Sequence, residues 1–317
     1  MTEQTGEVQQ GFLWKQEHLA PLPIPTGQPA SDLLNLIWRK NEAYLDIGSF
    51  AMGGGFITLH CMTFMFLTIL ALTLPEMSDD PLGMAILIVP ICCLMGTLWS
   101  LFIRDWKKPL RPPLRFNRQR REVCVTEEDG NFWFVPWERV HAIAPSVTNL
   151  GTYGASKHGS LIIWLPLKGQ EHEAYTPNTQ GWVMMVNPGG GISSMAQWEC
   201  IRSFMEIGPK AVPEPSVIRN SGMSLWQSFA HDFRQATKKR GLLLALLWEG
   251  LGIIVFNGIL LEHLIRKKLA HIPDLTAPEA IEWSKPLPPE QWAKRSPELA
   301  QAIAEREAEL AAPDKAA

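Results

Sequence analysis

Three short stretches hold residue types that do chemistry in enzymes. "YGASK" sets Tyr153 and Lys157 four positions apart, the spacing of a short-chain dehydrogenase dyad. That dyad needs a helix, so that both groups face one way, and a Gly-rich dinucleotide loop upstream. Gly151 and Gly154 break any helix here and no such loop precedes them, so the stretch reads as a surface loop. "QEHEAY" brings Glu171, His172 and Glu173 together. On a strand the two carboxylates share one face and the imidazole takes the other, which defeats a joint metal site. "NPGGGIS" precedes a helical stretch, and helix N-termini attract anions. It lacks a Gly-Lys-Ser/Thr run and reads as a flexible connector.

The remaining polar groups read as structural. Glu138 beside Arg139, and Glu199 three positions before Arg202, are expected to form ion pairs. The five cysteines are odd in number and scattered, without a C-x-x-C pair, and the eight histidines are dispersed, which points to neither a disulfide framework nor zinc. No nucleophile, base and oxyanion donor can be assembled. The chain reads as non-enzymatic, with no metal and no cofactor.

Two further sets are defined by where they lie. His60, Glu249 and Asn257 fall inside apolar runs, and polar groups at such depth are functional hypotheses by default. His60 could pair with Glu249. The basic run "RDWKKPLRPPLRFNRQRR" holds Arg104, Lys107, Lys108, Arg111, Arg115, Arg118, Arg120 and Arg121, eight bases against one acid. It could bind nucleic acid, but it directly follows an apolar run. There each Lys or Arg adds about 1 kcal/mol of attraction to anionic lipid. Lipid and partner contact are expected of these eight residues, and no nucleic acid.

The elements that position them divide the 317 residues unevenly; the net charge of −3 and 46% hydrophobic content hide the segregation. Ile47 to Leu74 and Leu82 to Ile103 carry no Asp, Glu, Lys or Arg, and each exceeds the roughly 20 residues a membrane-spanning helix needs. The link "PEMSDDP" is acidic and short, so the two form a helical hairpin with Pro90 as a kink in its second arm. The basic run places Arg104 onward in the cytoplasm of a bacterial inner membrane, with the N-terminus on the same side; residues 1–30 show no apolar core of a signal peptide. Trp99 and Trp106 are expected at the interfacial belt. Ser49 and Gly53 have small-xxx-small spacing, which suits close helix packing and a possible homo-oligomer. A third apolar block, 241–261, has Glu249 at its middle and bases at both ends. It is expected to span too, which would put the tail in the periplasm.

Between the spans, "EVCV" and "NFWFV" flank Asp129-Gly130, a two-residue hairpin signal. "RVHAIAP", "SLIIWLP", "HEAY" and "GWVMMV" read as further strands. Ser194 and Gln197 suggest a capping box, after which Trp198, Ile201 and Met205 mark one apolar helix face before Gly208-Pro209. Strands followed by one closing helix give the expected fold: a membrane helical hairpin plus an α+β domain, a pleckstrin-homology-like (PH-like) antiparallel β-roll with a C-terminal helix, then a third membrane helix. The expected division is 1–46 cytoplasmic segment, 47–103 hairpin, 104–215 PH-like domain, 216–240 connector helix, 241–261 third span and 262–317 polar Pro-rich tail.

"PLRFNRQRREVCV", "VPWERVHAI" and "WECIRSFMEIGP" resemble the motifs of a domain-of-unknown-function family of Gram-negative bacteria, over roughly residues 30–270. Its members carry N-terminal membrane helices, and many are encoded beside type VI secretion effectors. The resemblance implies an immunity or accessory protein that recognises a secreted effector or a secretion component. The residues alone leave two rivals: a lipid-contacting membrane scaffold, and a small channel or transporter component using His60 and Glu249.

Overall fold

The computed structural model describes residues 5–50, 52–73, 81–151, 154–171, 180–189 and 191–312. Its strands in chain order are β1 (Val8–Gln10), β2 (Trp14–Ala20), β3 (Ile37–Lys40), β4 (Tyr44–Ile47), β5 (Leu114–Asn117), β6 (Glu122–Thr126), β7 (Phe132–Pro136), β8 (His141–Gly151), β9 (Gly154–Gly159), β10 (Leu161–Pro166) and β11 (Gly181–Val186). Its helices are α1 (Gly53–Thr73), α2 (Pro81–Lys107), α3 (Gly191–Glu206), α4 (Leu225–Arg240), α5 (Leu242–Ile254), α6 (Gly258–Leu269), α7 (Pro278–Trp283) and α8 (Pro297–Ala311). They fall into two compact units: residues 1–49, 111–217 and 273–317, and residues 50–110 and 218–272.

The first unit is α+β, with two antiparallel sheets. One runs β3-β4-β5-β6-β7; the other runs β1-β2-β8-β10-β11, with β9 paired to β8. Alternation explains the first sheet. Leu114, Phe116, Val123, Val125, Trp133 and Val135 enter the core shared with the second sheet and α3. Cys124, Phe132 and Phe134 point the other way, onto Leu275, Ala280 and Trp283 of the C-terminal segment. Covered on both sides, the middle of β6 reads as a continuous apolar run rather than a clean alternation.

Helix α3 closes the core with its expected face: Trp198, Ile201 and Met205 are buried, and Trp198 stacks on Trp137 with ring centroids 5.4 Å apart. Its start differs from expectation. Ser194 lies inside the helix, not at its cap, and Gln197 accepts from the Leu33 amide and donates to Asp32. The β6–β7 turn also differs. The Glu127 amide donates to the Asn131 carbonyl, leaving Glu128–Gly130 as a three-residue loop with Gly130 at φ +86°, the left-handed position such loops give to glycine.

Both chain ends depart from the expected division. Residues 8–47 are not a detached segment: they supply β1 to β4, with Glu17 opposite Ala144 and Ile47 opposite Leu114. Residues 273–312 belong to the same unit. The expected strand "HEAY" and the acidic link between the first two apolar runs lie outside the described residues.

In the second unit, α1 and Ala85–Lys107 of α2 are long and apolar enough to cross a membrane, with mean hydropathies of 1.9 and 2.4. They pack through Phe56, Trp99 and Phe102, and the Trp99 indole donates to Thr63 Oγ1 at 2.9 Å. Trp99 is therefore a contact of the hairpin. Helix α2 continues through Pro90. Ser49 precedes α1, so Ser49 and Gly53 do not share a helix face and offer no small-xxx-small seam. The third apolar block is not one helix. It breaks at Val255–Asn257, and α5 and α6 are bent by 61°. Asn257 stands at φ +45° and accepts from the Leu260 amide as N-cap of α6, the role for which Asn is selected at helix starts.

Candidate functional site

The eight basic residues part company at Arg111. Arg104, Lys107, Lys108 and Arg111 are exposed. Lys108 pairs with Asp105 at 2.7 Å and Arg111 with Glu128 at 2.5 Å, surface pairs worth little to stability. The other four turn inward. Arg115 is only 2% exposed. Its guanidinium grips Asp46, its register partner on β4, at 2.6 and 2.7 Å, and reaches Asp274 at 2.7 Å and Ser284 Oγ at 2.9 Å. Arg118 donates to the Ile207 carbonyl and stands 5.2 Å over the Trp292 ring. Arg120 donates to the Trp283 carbonyl at 2.8 Å. Arg121 bonds Glu206 at 2.9 and 3.2 Å and Glu138 at 3.1 Å. The expected grip of these four on lipid headgroups is replaced by a grip on the chain itself, because carboxylates and carbonyls of β4, α3 and the C-terminal segment reach them first.

The electrostatics follow from burial. Burial pushes the Asp46 carboxyl above its ordinary range, and the bonds from Arg115 and Arg39 only partly pull it back. At Glu206 burial acts upward too, but Arg121, the Trp137 indole and Arg295 outweigh it and hold the carboxyl below its usual range. Glu199 pairs with Arg202 as the sequence suggests, whereas Glu138 takes Arg121 and the Ser296 amide instead of Arg139.

These ion pairs hold the C-terminal segment against the sheets. Trp283 donates to Glu122 at 2.7 Å, the Ala293 amide to the Gln119 carbonyl at 2.8 Å, and Arg295 to Glu206 at 2.6 Å. Leu299 and Ile303 bury one side of α8. The sequence holds signals for this: Trp283 and Trp292 in an otherwise polar stretch, and Ser296-Pro297 followed by apolar residues four apart, an N-terminal helix signature.

The intramembrane polar set does not assemble. His60 stacks on Phe56 with centroids 5.6 Å apart and meets Trp99 edge-on at 6.4 Å. Among the described residues no hydrogen bond joins it to Glu249, which is half-buried on α5. Tyr153, His172 and Glu173 lie outside the described residues; Lys157 falls on β9 rather than in a loop. Glu171 accepts from the Gly169 amide. The described residues hold no cluster of His, Cys, Asp and Glu able to bind a metal.

One feature escapes the motifs. At one end of the β1-β2-β8 sheet, Trp14 faces Val147 across the strands and the Thr148 amide donates to the Leu13 carbonyl at 2.7 Å. Phe12 (94% exposed), Leu13, Trp14, Val147 and Leu150 (66%) leave their apolar area outside the core. The Trp14 indole lies over Gly11, where a Cβ would come within 2.2 Å of its Nε1. Glycine at 11 thus sets the indole's position. Trp14 and Val147 share one face of the paired strands, and Leu150 lies on the opposite face of β8. An exposed aromatic beside a β-branched neighbour is the kind of side-chain pair that can anchor an interaction.

No family model, no curated protein and no solved structure matches the chain.

Proposed function

We propose that this chain is a multi-pass inner-membrane protein whose antiparallel unit, a roll of the PH-like kind, stands in the cytoplasm and recognises a protein partner without turning it over. The partner is a secreted antibacterial effector of a type VI system, or a component that handles one, and the role is immunity or accessory.

The observation that carries recognition is the apolar end of the β1-β2-β8 sheet. Trp14 and Val147 lie side by side and exposed on one face there, and interfaces concentrate binding energy in a few aromatic anchors. Charge supports the side: Arg104, Lys107, Lys108 and Arg111 follow the second span, as the positive-inside rule requires of a cytoplasmic flank. The effector setting rests on the sequence motifs. His60, which the channel reading invokes, stacks on Phe56 and meets Trp99 edge-on.

The test uses the full-length protein in cells that also make the effector encoded beside it. Trp14→Ser with Val147→Ser should keep expression and membrane insertion, lose protection, and weaken co-purification by about 30-fold or more, as loss of an anchor worth about 2 kcal/mol implies. Undiminished protection by this variant would overturn the assignment of the surface. A wild-type protein that neither protects nor retains the effector would overturn the function.

A further inference from the structure

The stretch 218–272 begins and ends at one level of the membrane unit. Arg266, near the end of α6, donates to the Met223 carbonyl at 2.6 Å and to the Arg219 carbonyl at 3.0 Å, tying the end of α6 to the start of α4. The Lys268 ammonium sits on the Trp106 and Lys108 carbonyls at the basic end of α2, and Lys267 and Lys268 both stand 5.7 Å over the Trp106 ring. Helix α4 does not cross the bilayer. Its 16 residues include Asp232, Arg234, Lys238, Lys239 and Arg240, and at about 1.5 Å per residue it is too short as well. A segment that starts and finishes beside the same end of α2, with a polar first arm, has not crossed once.

We propose that α5 and α6 form a wedge that enters and leaves a single leaflet on the face that carries the basic end of α2, and that its ligand is the anionic lipid surface of that face. The apolar area is in place: Leu243 is 82% and Trp248 65% exposed, Leu244 and Leu247 are exposed beside them, and Ala245 is buried. These side chains belong to the same compact unit as α1 and α2.

The geometry sets the depth. Helix α5 has 13 residues, about 20 Å at 1.5 Å per residue. A bend of 61°, shared between two arms of similar length, inclines each by about 30° to the line joining their ends. The apex at Val255–Asn257 then reaches about 10 Å down, short of the midplane of a hydrocarbon core about 30 Å thick. Interfacial helices sit at this depth. Lys238, Lys239 and Arg240 mark the entrance and Lys267 the exit, four cations at the level of lipid phosphates, while Arg266 and Lys268 tie the exit to the chain. Glu249, midway along α5, stays within reach of the headgroup region instead of the bilayer centre.

The full-length protein tests this in sealed vesicles of phosphatidylethanolamine and phosphatidylglycerol. Cys61, Cys92 and Cys93 are replaced by Ala, and single cysteines are placed at Asp129, Glu307 or Leu247. An impermeant maleimide should label Asp129→Cys and Glu307→Cys from the same face. An environment-sensitive probe on Leu247→Cys should show apolar emission, quenched several-fold more by lipids spin-labelled near the headgroup than by lipids labelled at the chain end. Leu243→Cys repeats the reading should substitution at 247 disturb folding. Labelling of 129 and 307 from opposite faces would restore a true third span and overturn the wedge. Water-like emission at both 247 and 243, with no quenching, would take α5 out of the lipid and overturn it equally.

Discussion

Trp283 lies on Phe134 with ring centroids 4.8 Å apart and planes 28° from parallel, so an aromatic ring from the Pro-rich end of the chain covers the outer face of β7. With its indole N–H on Glu122, it is the main apolar anchor of that segment. Trp283→Ala should cost about 3–5 kcal/mol, as for other large buried aromatics. Limited proteolysis should then cleave within 273–312 at protease levels that leave the wild type intact.

Arg115 and Asp46 form a buried pair that also recruits Asp274 and Ser284. Removing one partner of such a pair leaves an uncompensated charge and costs about 3–5 kcal/mol. Arg115→Gln should therefore unfold more readily in denaturant, and Asp46→Asn in the same chain should recover part of the loss. Replacing exposed Arg104, Lys107 and Arg111 by Gln should leave the unfolding midpoint unchanged while weakening adhesion to anionic vesicles.

His141 and Glu206 contribute two slopes to the acid response. Burial, with help from His18, lowers His141 to about 4, whereas an unfolded chain binds that proton near 6.5. Between those values the unfolded state holds more protons, so stability falls as pH drops from about 6.5 to about 4. Glu206, held below its ordinary value, contributes stability that is lost further down, as pH falls from about 4.5 through its folded value. Denaturant midpoints measured against pH should show both slopes. His141→Gln should flatten the upper one and spare the lower.

Burial raises the Cys124 thiol to about 11 and the Cys200 thiol to about 12. Both are fully enclosed, Cys124 between β6 and the C-terminal segment. Thiolate is the reactive form, so maleimide should leave both unmodified in lysed cells as well as in intact spheroplasts, and modify them only after denaturation. Cys124 should react before Cys200 in Trp283→Ala, because only its cover has been removed.

The β6–β7 hairpin is legible in the sequence because its apolar alternation and Asp129-Gly130 lie within a dozen residues. Helix α3 is legible because Trp198, Ile201 and Met205 repeat at helical spacing. What the sequence conceals is non-local. Strand β2 pairs with β8, more than a hundred residues away, and nothing near residue 14 announces that partner. The arginines mislead for a related reason. A run of bases after an apolar helix has the same composition whether it faces phosphate or carboxylate, and Asp46, Glu206 and Asp274 that claim them are scattered along the chain. The break in the third apolar block is hidden because length and hydropathy do not register a left-handed residue such as Asn257.

Strand β4 ends at Ile47 and its neighbour β5 begins at Leu114, opposite it in register; both candidate spans are inserted in the turn between two adjacent strands. The consequence concerns order in time. As the chain leaves the ribosome, β4 has no β5 to pair with until both apolar helices have emerged. Burial of α1 and α2 in the bilayer then brings residues 47 and 114 to the same place and closes the loop entropy that otherwise opposes the pairing. Insertion of α1 and α2 is therefore expected to precede the β4–β5 pairing. Nascent chains stalled short of residue 117 should keep residues 8–47 open to protease, and those stalled well beyond α3 should shield them only where insertion has succeeded.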